Sequence, residues 1–278
     1  MKGMKQAVRR LQKAAKAKEE MVIFADYDCD GVCGAVILET ILKTIGANLL
    51  GVYIPDRSKE GYGLNIKAIQ ELKNRGVKLI LTIDCGITDD EEIKFAKSLG
   101  VEVIVVDHHQ IVKKIPQAIV VDPWQKGDRY PFKKLAAAGV AFKLGQALIC
   151  QLADKKMPEG WEKWLLDLVA LATVADCMPL LGENRTLVKY GLIVLAQTQR
   201  IGLQELMKVA GLSPNLEKIQ DPISGIWSLS SNLDTYTLGF VLAPRLNVAS
   251  RLDHANLAYQ LLIAESEKEA QTMAQKLD

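Results

Sequence analysis

The chain has 278 residues, 49% of them hydrophobic and 24% charged, with a formal net charge of +2. At about 150 residues per domain this is one large or two modest globular units, big enough to bury a core without staples. Thirty-five basic against 33 acidic residues exclude a polycation or an acidic tail, so any nucleic-acid binding must come from local patches.

The basic start (Lys2, Lys5, Arg9, Arg10, Lys13, Lys16, Lys18) has no apolar centre and reads as a solvated helix face rather than a signal peptide. Short β-branched runs then follow at Met21–Ala25, Leu49–Ile54, Leu79–Ile83, Glu102–Val106 and Ala118–Val121. Between them lie segments of helical spacing, Gly34–Ile45, Asn65–Asn74 and Asp89–Leu99. Continuous apolar runs alternating with helices predict an α/β fold, a doubly wound, mainly parallel five-stranded sheet covered on both faces. After a Pro/Gly/Asp-rich stretch, Asp122–Pro131, the texture turns helical: Ala136–Leu152, Trp161–Ala175, Asn184–Ala196, Leu203–Val209 and about His254–Lys276. Gly211–Thr235 reads as loop. One catalytic unit over 1–278 is expected, with a sheet part (1–130) and a mostly helical part (131–278).

No apolar run reaches the length of about 18 residues that spans a membrane. Five scattered cysteines (Cys29, Cys33, Cys85, Cys150, Cys177) read as reduced thiols of a cytoplasmic protein. Cys29, Cys85 and Cys177 are expected as small buried fillers, and Trp161 and Trp164 as core. Trp124 is the tryptophan better placed to stack on a base. The glycine-rich Glu60–Gly63 suits either a turn or an approach to phosphate.

Three of the apolar runs end in aspartate. Asp26 follows the first, with Asp28 and Asp30 just beyond; Asp84 follows the third; Asp107 follows the fourth and leads into His108 and His109. Parallel strands put their carboxyl ends on one edge, where open α/β sheets bind ligands. Five carboxylates and two imidazoles would therefore converge, and such a group raises its own pKa values or takes up cations. The donor set suits manganese, magnesium, zinc or iron. Two ions sharing one carboxylate would be the standard device for activating water against a phosphate ester. The stretch Asp26–Gly31 imitates an EF-hand start, but the twelfth position is Ile37 and a strand precedes it, so a calcium loop is excluded. Phosphate-loop, dinucleotide, zinc-protease and serine-hydrolase motifs are absent from the sequence.

Asp26-Tyr27-Asp28-Cys29-Asp30-Gly31, Asp84-Cys85-Gly86 and Asp107-His108-His109 resemble the first three motifs of the Asp-His-His (DHH) phosphoesterases. Asp176, in Val174-Ala175-Asp176-Cys177-Met178-Pro179-Leu180, resembles the fourth. The strings Ala138–Lys143, Gly182–Arg185 and Ala243–Leu252 are similar to the RecJ-type branch, single-strand-specific 5′→3′ exonucleases, and the likeness runs from about Met21 to Glu265. The resemblance implies metal ligation by Asp26, Asp28, Asp30, Asp84, His108 and Asp176, with Asp84 bridging two divalent cations, manganese preferred over magnesium. It implies that His109 faces the scissile phosphate, that Asp107 orients an imidazole, and that Arg57, Arg245 and Arg251 contact substrate. It also implies single-stranded DNA as substrate, with single-strand-binding protein and a repair helicase as partners. Ala25, Cys29 and the Ala249-Ser250 pair depart from the family pattern without removing an acid. The chain holds no DHH-associated C-terminal domain, so it is expected to be a catalytic core or a minimal relative. Two other readings stand beside the exonuclease: a phosphodiesterase for short oligonucleotides or cyclic dinucleotides, and an inactive scaffold.

Overall fold

The computed structural model describes residues 1–112, 114–151, 157–220, 227–252 and 256–278. Five strands, β1 (Met21–Ala25), β2 (Leu49–Tyr53), β3 (Leu79–Ile83), β4 (Glu102–Val106) and β5 (Ile119–Val121), form one sheet in the order β2-β1-β3-β4-β5. Every pairing in it is parallel. Parallel neighbours need crossovers; α2 (Cys29–Thr44), α3 (Ile66–Asn74) and α4 (Asp90–Ser98) supply the first three. The chain steps outward from β1 to β2, then returns past β1 to β3. The strand order therefore reverses between β1 and β3, and the crevice at such a reversal is where open sheets place ligands.

Alternation along the strands divides the core. Met21, Ile23, Leu81, Ile83 and Val106 face α1 (Met4–Ala17), α2 and α5 (Ala137–Ile149). Val22, Phe24, Ile80, Val103 and Val105 face α3 and α4. The basic first helix is amphipathic: Ala7, Val8, Leu11 and Ala14 are buried, while Arg10 reaches Glu19 and Glu102.

The helical part packs on the α2–α5 side. A single turn of 3-10 helix (Trp161–Leu165) runs into α6 (Leu166–Ala175), followed by α7 (Gly182–Leu195) and α8 (Ile201–Val209). Leu168 to Ala172 of α6 are completely buried, as befits a helix apolar all round. It lies against α2, α5 and α7, which carries its C-terminal Asp176 to the N-terminal end of α2.

Several boundaries differ from the sequence reading. The helix expected from Gly34 starts five residues earlier, because Asp28 caps it and accepts the N–H groups of Asp30 and Gly31. Within the expected loop 211–235, β6 (Leu216–Gln220) and β7 (Trp227–Ser231) pair as an antiparallel ribbon; residues 221–226 lie outside the described part. A π-helical segment (Thr237–Leu242) then leads into α9 (Ala243–Leu252). The single terminal helix is two, α10 (Asn256–Leu262) and α11 (Glu267–Leu277), with Ser266 capping the second through Glu269 N; His254 lies outside the described residues. Trp161 is half-buried and Trp164 is 44% exposed rather than core. Cys29 and Cys85 are buried as expected, but Cys177 is exposed. Among the described residues no helix is long and apolar enough to cross a membrane.

Candidate metal centre

The ladder extends one residue past three strands. Asp26 N donates to Ile83 O, Asp84 N to Val106 O and Asp107 N to Val121 O. Three carboxylates from distant parts of the chain thus stand side by side on adjacent strands, which lie about 4.8 Å apart. Asp84 takes a left-handed backbone, φ 61°, a conformation that costs most residues about 1–2 kcal/mol and that Asp and Asn tolerate best. Tyr62 of the glycine-rich loop donates its hydroxyl to the Asp84 carbonyl at 2.8 Å, and its ring stands edge-on to His109.

The start of α2 supplies two more acids. Asp28 is the N-cap, its Oδ1 accepting from Asp30 N and Gly31 N at 2.9 Å each. Asp30 is buried, and its two oxygens accept from Ala138 N and Ala137 N at 2.8 and 2.7 Å. Those donors are the otherwise unpaired N–H groups at the start of α5. Asp176 ends α6, followed by a left-handed Cys177 (φ 55°). Met178 N reaches back to Thr173 O and Cys177 N to Val174 O, the closing pattern that usually takes glycine.

The two histidines differ. His108 is buried, and its Nδ1 lies 3.0 Å from Leu135 O. A carbonyl can only accept, so Nδ1 carries a proton, and in the neutral ring Nε2 is the nitrogen that presents a lone pair. That Nε2 lies 3.2 Å from Asp84 Oδ1, 3.5 Å from Asp176 Oδ2 and 3.7 Å from Asp30 Oδ2, yet it has no hydrogen-bond partner. His109 is half-exposed, and its Nδ1 is held at 2.7 Å by Asp107. The same Asp107 carboxylate also accepts the backbone N–H groups of Ile87, His108 and His109.

Charge follows this geometry. Burial and the neighbouring Asp28 push Asp26 up to about 7. Burial raises Asp30 and Asp176 despite His108, and raises Asp84 well above the usual carboxylate range, with Asp30 and Asp28 adding to it. Asp107 goes the other way: burial works to raise it, but the hydrogen bond and charge of His109 bring it below its ordinary value. His109 rises to about 9 through that bond, so at neutral pH it is a cation turned toward solvent.

The residues present fit divalent ions. Asp26 Oδ1, Asp84 Oδ1, Asp176 Oδ2 and His108 Nε2 are buried donor atoms without partners, a costly state unless something compensates it. Asp26, Asp28 and Asp84 present ligand atoms within 4.8 Å of one another, and so do Asp30, His108 and Asp176. Asp84 belongs to the first trio and touches His108 of the second.

The arginines divide. Arg57 is exposed, its guanidinium 5.3 Å from the centre of the Tyr27 ring, between Asp26 and Asp28 in sequence. Arg245 is elsewhere: it donates to the Asp278 carboxylate and to Val241 O, and to none of these acids. Arg251 lies in α9, its side chain outside the described part. Trp124 is half-buried, its N–H tied to Asp122. Within the string Ala243–Leu252, Asn247 reaches the site, its Oδ1 accepting from Cys29 N at 2.8 Å. Leu135 O and the Ala137 and Ala138 N–H groups also build the site; as backbone they leave no sequence signal.

Comparison with known proteins agrees. Residues 20–173 match the family model described as DHH family, N-terminal domain. The sequence is 41% identical, over 279 aligned residues, to the single-stranded-DNA-specific exonuclease RecJ of Bacillus subtilis (strain 168), covering 100% of this chain and 32% of that protein. The fold superposes on a crystal structure of exonuclease RecJ bound to manganese with a TM-score of 0.84 at 35% identity, covering 100% of this chain and 65% of that one. It superposes on RecJ of Thermus thermophilus in complex with Mn2+ with a TM-score of 0.80 at 33% identity, covering 100% of this chain and 37% of that one. The chain spans about a third of the Bacillus subtilis protein. With the matched region holding all of the converging acids except Asp176, which lies three residues beyond it, the chain belongs to the DHH family.

Proposed function

We propose that the chain is the catalytic core of a metal-dependent phosphodiesterase that degrades single-stranded DNA from its 5′ end. The observation that carries this reading is His108 Nε2, a buried ring nitrogen faced by three carboxylates and left without a hydrogen-bond partner. Such an arrangement is built for a cation, and the RecJ structures similar to it hold manganese or magnesium. Two divalent ions, manganese preferred and magnesium the second choice, would activate water and neutralise charge on the attacking and leaving oxygens.

The chain's own groups have distinct tasks. Asp26, Asp28 and Asp84 would hold one ion, and Asp30, His108 and Asp176 the other, with Asp84 shared. Leu135 O fixes the His108 tautomer, the usual way a ligand imidazole is aimed. His109, kept protonated by Asp107, would donate to a non-bridging phosphoryl oxygen. The sheet part (1–130) would supply the first three motifs and the helical part (131–278) the fourth. Five thiols without a disulfide suit the reducing cytoplasm, where we place the activity.

The test is to incubate the purified chain with manganese and a long 5′-phosphorylated single strand. Mononucleotides should appear from the 5′ end, and chelation of the metal should stop their release. Cleavage of a dinucleotide at the same rate as the long strand would favour the short-substrate reading. Metal binding without cleavage of either would favour the scaffold.

Arg57 bears on polarity. A guanidinium beside Tyr27, next to Asp26 and Asp28, is placed to grip the terminal phosphate with a planar fork. Arg57→Ala should raise KM for a 5′-phosphorylated strand about tenfold, the loss of one charge-assisted contact. A strand with a 5′-hydroxyl should be affected little; an equal loss on both would remove Arg57 from that role.

A further inference from the structure

We infer that Asn184 is a positioning residue of the metal centre, setting the half formed by Asp30, His108 and Asp176. The inference rests on the metal reading above. Asn184 is completely buried at the start of α7. Its Nδ2 donates two hydrogen bonds, to Lys134 O at 2.6 Å and to Pro179 O at 3.1 Å. Carbonyls accept only, so the amide nitrogen must face both. Its Oδ1 has no partner, so the two N–H groups are what the side chain contributes.

Both carbonyls belong to segments that aim ligands. Lys134 directly precedes Leu135, whose carbonyl holds His108 Nδ1. Two residues further on, Ala137 and Ala138 hold the two oxygens of Asp30. Pro179 lies three residues past Asp176, beyond the left-handed Cys177. A single amide therefore fastens the backbone behind all three donors of one trio. The Asp26, Asp28 and Asp84 trio stands at the ends of β1 and β3 and at the N-cap of α2, and neither of the two Asn184 hydrogen bonds goes to those segments. Outer partners of metal ligands act in this way, and their loss typically costs about 10–100-fold in metal affinity.

Asn184→Asp is isosteric but carries no N–H, and even when protonated it offers one donor in place of two, so at least one attractive contact becomes oxygen–oxygen repulsion. The α7 helix stays tied to α5 through the Lys143–Glu183 ion pair at 2.5 Å and to Tyr130 through its hydroxyl on Glu183, which favours a folded variant. Manganese titration by calorimetry should show the unmodified chain binding two ions. In N184D one of the two should weaken by about 10–100-fold and the other keep its affinity. A folded N184D that binds both ions as the unmodified chain does would overturn the inference. An unmodified chain that binds no ion would sink the metal reading instead. Should N184D not fold, the unmodified chain carries the test by NMR. Because coupling is reciprocal, magnesium saturation should slow exchange of the Asn184 Nδ2 protons about tenfold; unchanged exchange would overturn the inference.

Discussion

Asp84→Asn should abolish nucleotide release, by about 10³-fold or more, while leaving the metal-free chain at least as stable as before. The two halves have one cause. Asp84 is buried among Asp26, Asp28, Asp30 and Asp107, and its carboxyl is held well above the usual range. A carboxyl whose folded pKa is raised contributes stability only while protonated, and that stability is lost as pH rises toward neutrality. Removing the charge relieves this cost. It also removes the acid that would be shared between the two ions, a loss that should exceed the roughly 10–100-fold lost with an outer partner and reach the scale of about 10³-fold seen when a preorganised charge contact is deleted. Asparagine is the informative substitution because it tolerates the left-handed backbone at φ 61°, where alanine adds about 1–2 kcal/mol of its own. In thermal melts, saturating manganese at about 100 times its Kd should stabilise the unmodified chain by about 2.7 kcal/mol for each ion bound and D84N by much less. A D84N chain that still gains the full shift and hydrolyses single strands would take Asp84 out of the site.

The sequence made the sheet legible where physics left few alternatives. The runs Met21–Ala25, Leu79–Ile83 and Glu102–Val106 are observed with those bounds, because a strand buried on both faces is mostly apolar and the first aspartate marks where it leaves the core. The acids on those ends, with Asp28 and Asp30, do meet. What stayed hidden was either weakly patterned or borne by groups without side-chain identity. The β6–β7 ribbon is mostly exposed along β6, so it lacks an apolar face to announce it. Ser266 and Glu269 form a capping signal that the long helical spacing of 254–276 conceals. Arg245 reads as a substrate contact by resemblance, and only the fold shows it bonded to Asp278. Trp164 sits at helical spacing from Trp161, and the 3-10 turn puts the two on one face, but that face is only half-buried at Trp161 and 44% exposed at Trp164. Asn184 and Asn247 lay inside recognised strings, yet nothing in a string of residues says which backbone groups a buried amide will reach.

Gly31→Ala should be the most damaging small substitution in the chain's first motif. A Cβ at Gly31 would lie 2.5 Å from Asp26 O and 2.8 Å from Asp26 C and Cβ. The opposing atoms are largely backbone at the end of a central strand, so they cannot give way, and α2 must retreat from β1. Overpacking of this kind costs about 1–3 kcal/mol, and here the upper end applies. The retreat also separates Asp28 and Asp30, on the helix, from Asp26 and Asp84, on the strands, and draws Asp30 from Ala137 and Ala138. A misplacement of about 1 Å at reacting groups costs about 10²-fold in rate, so manganese-dependent hydrolysis should fall by that factor in molecules that remain folded. Gly202→Ala separates the two effects. Its Cβ would meet Leu261 O at 1.7 Å, far from the acids in sequence and on a helix that carries none of them. G202A should therefore lower the melting temperature at least as much while each folded molecule keeps its metal affinity and rate. If G31A loses stability but retains both, the close approach of α2 to β1 serves packing alone, and the geometry of the acids tolerates more slack than the contact distances imply.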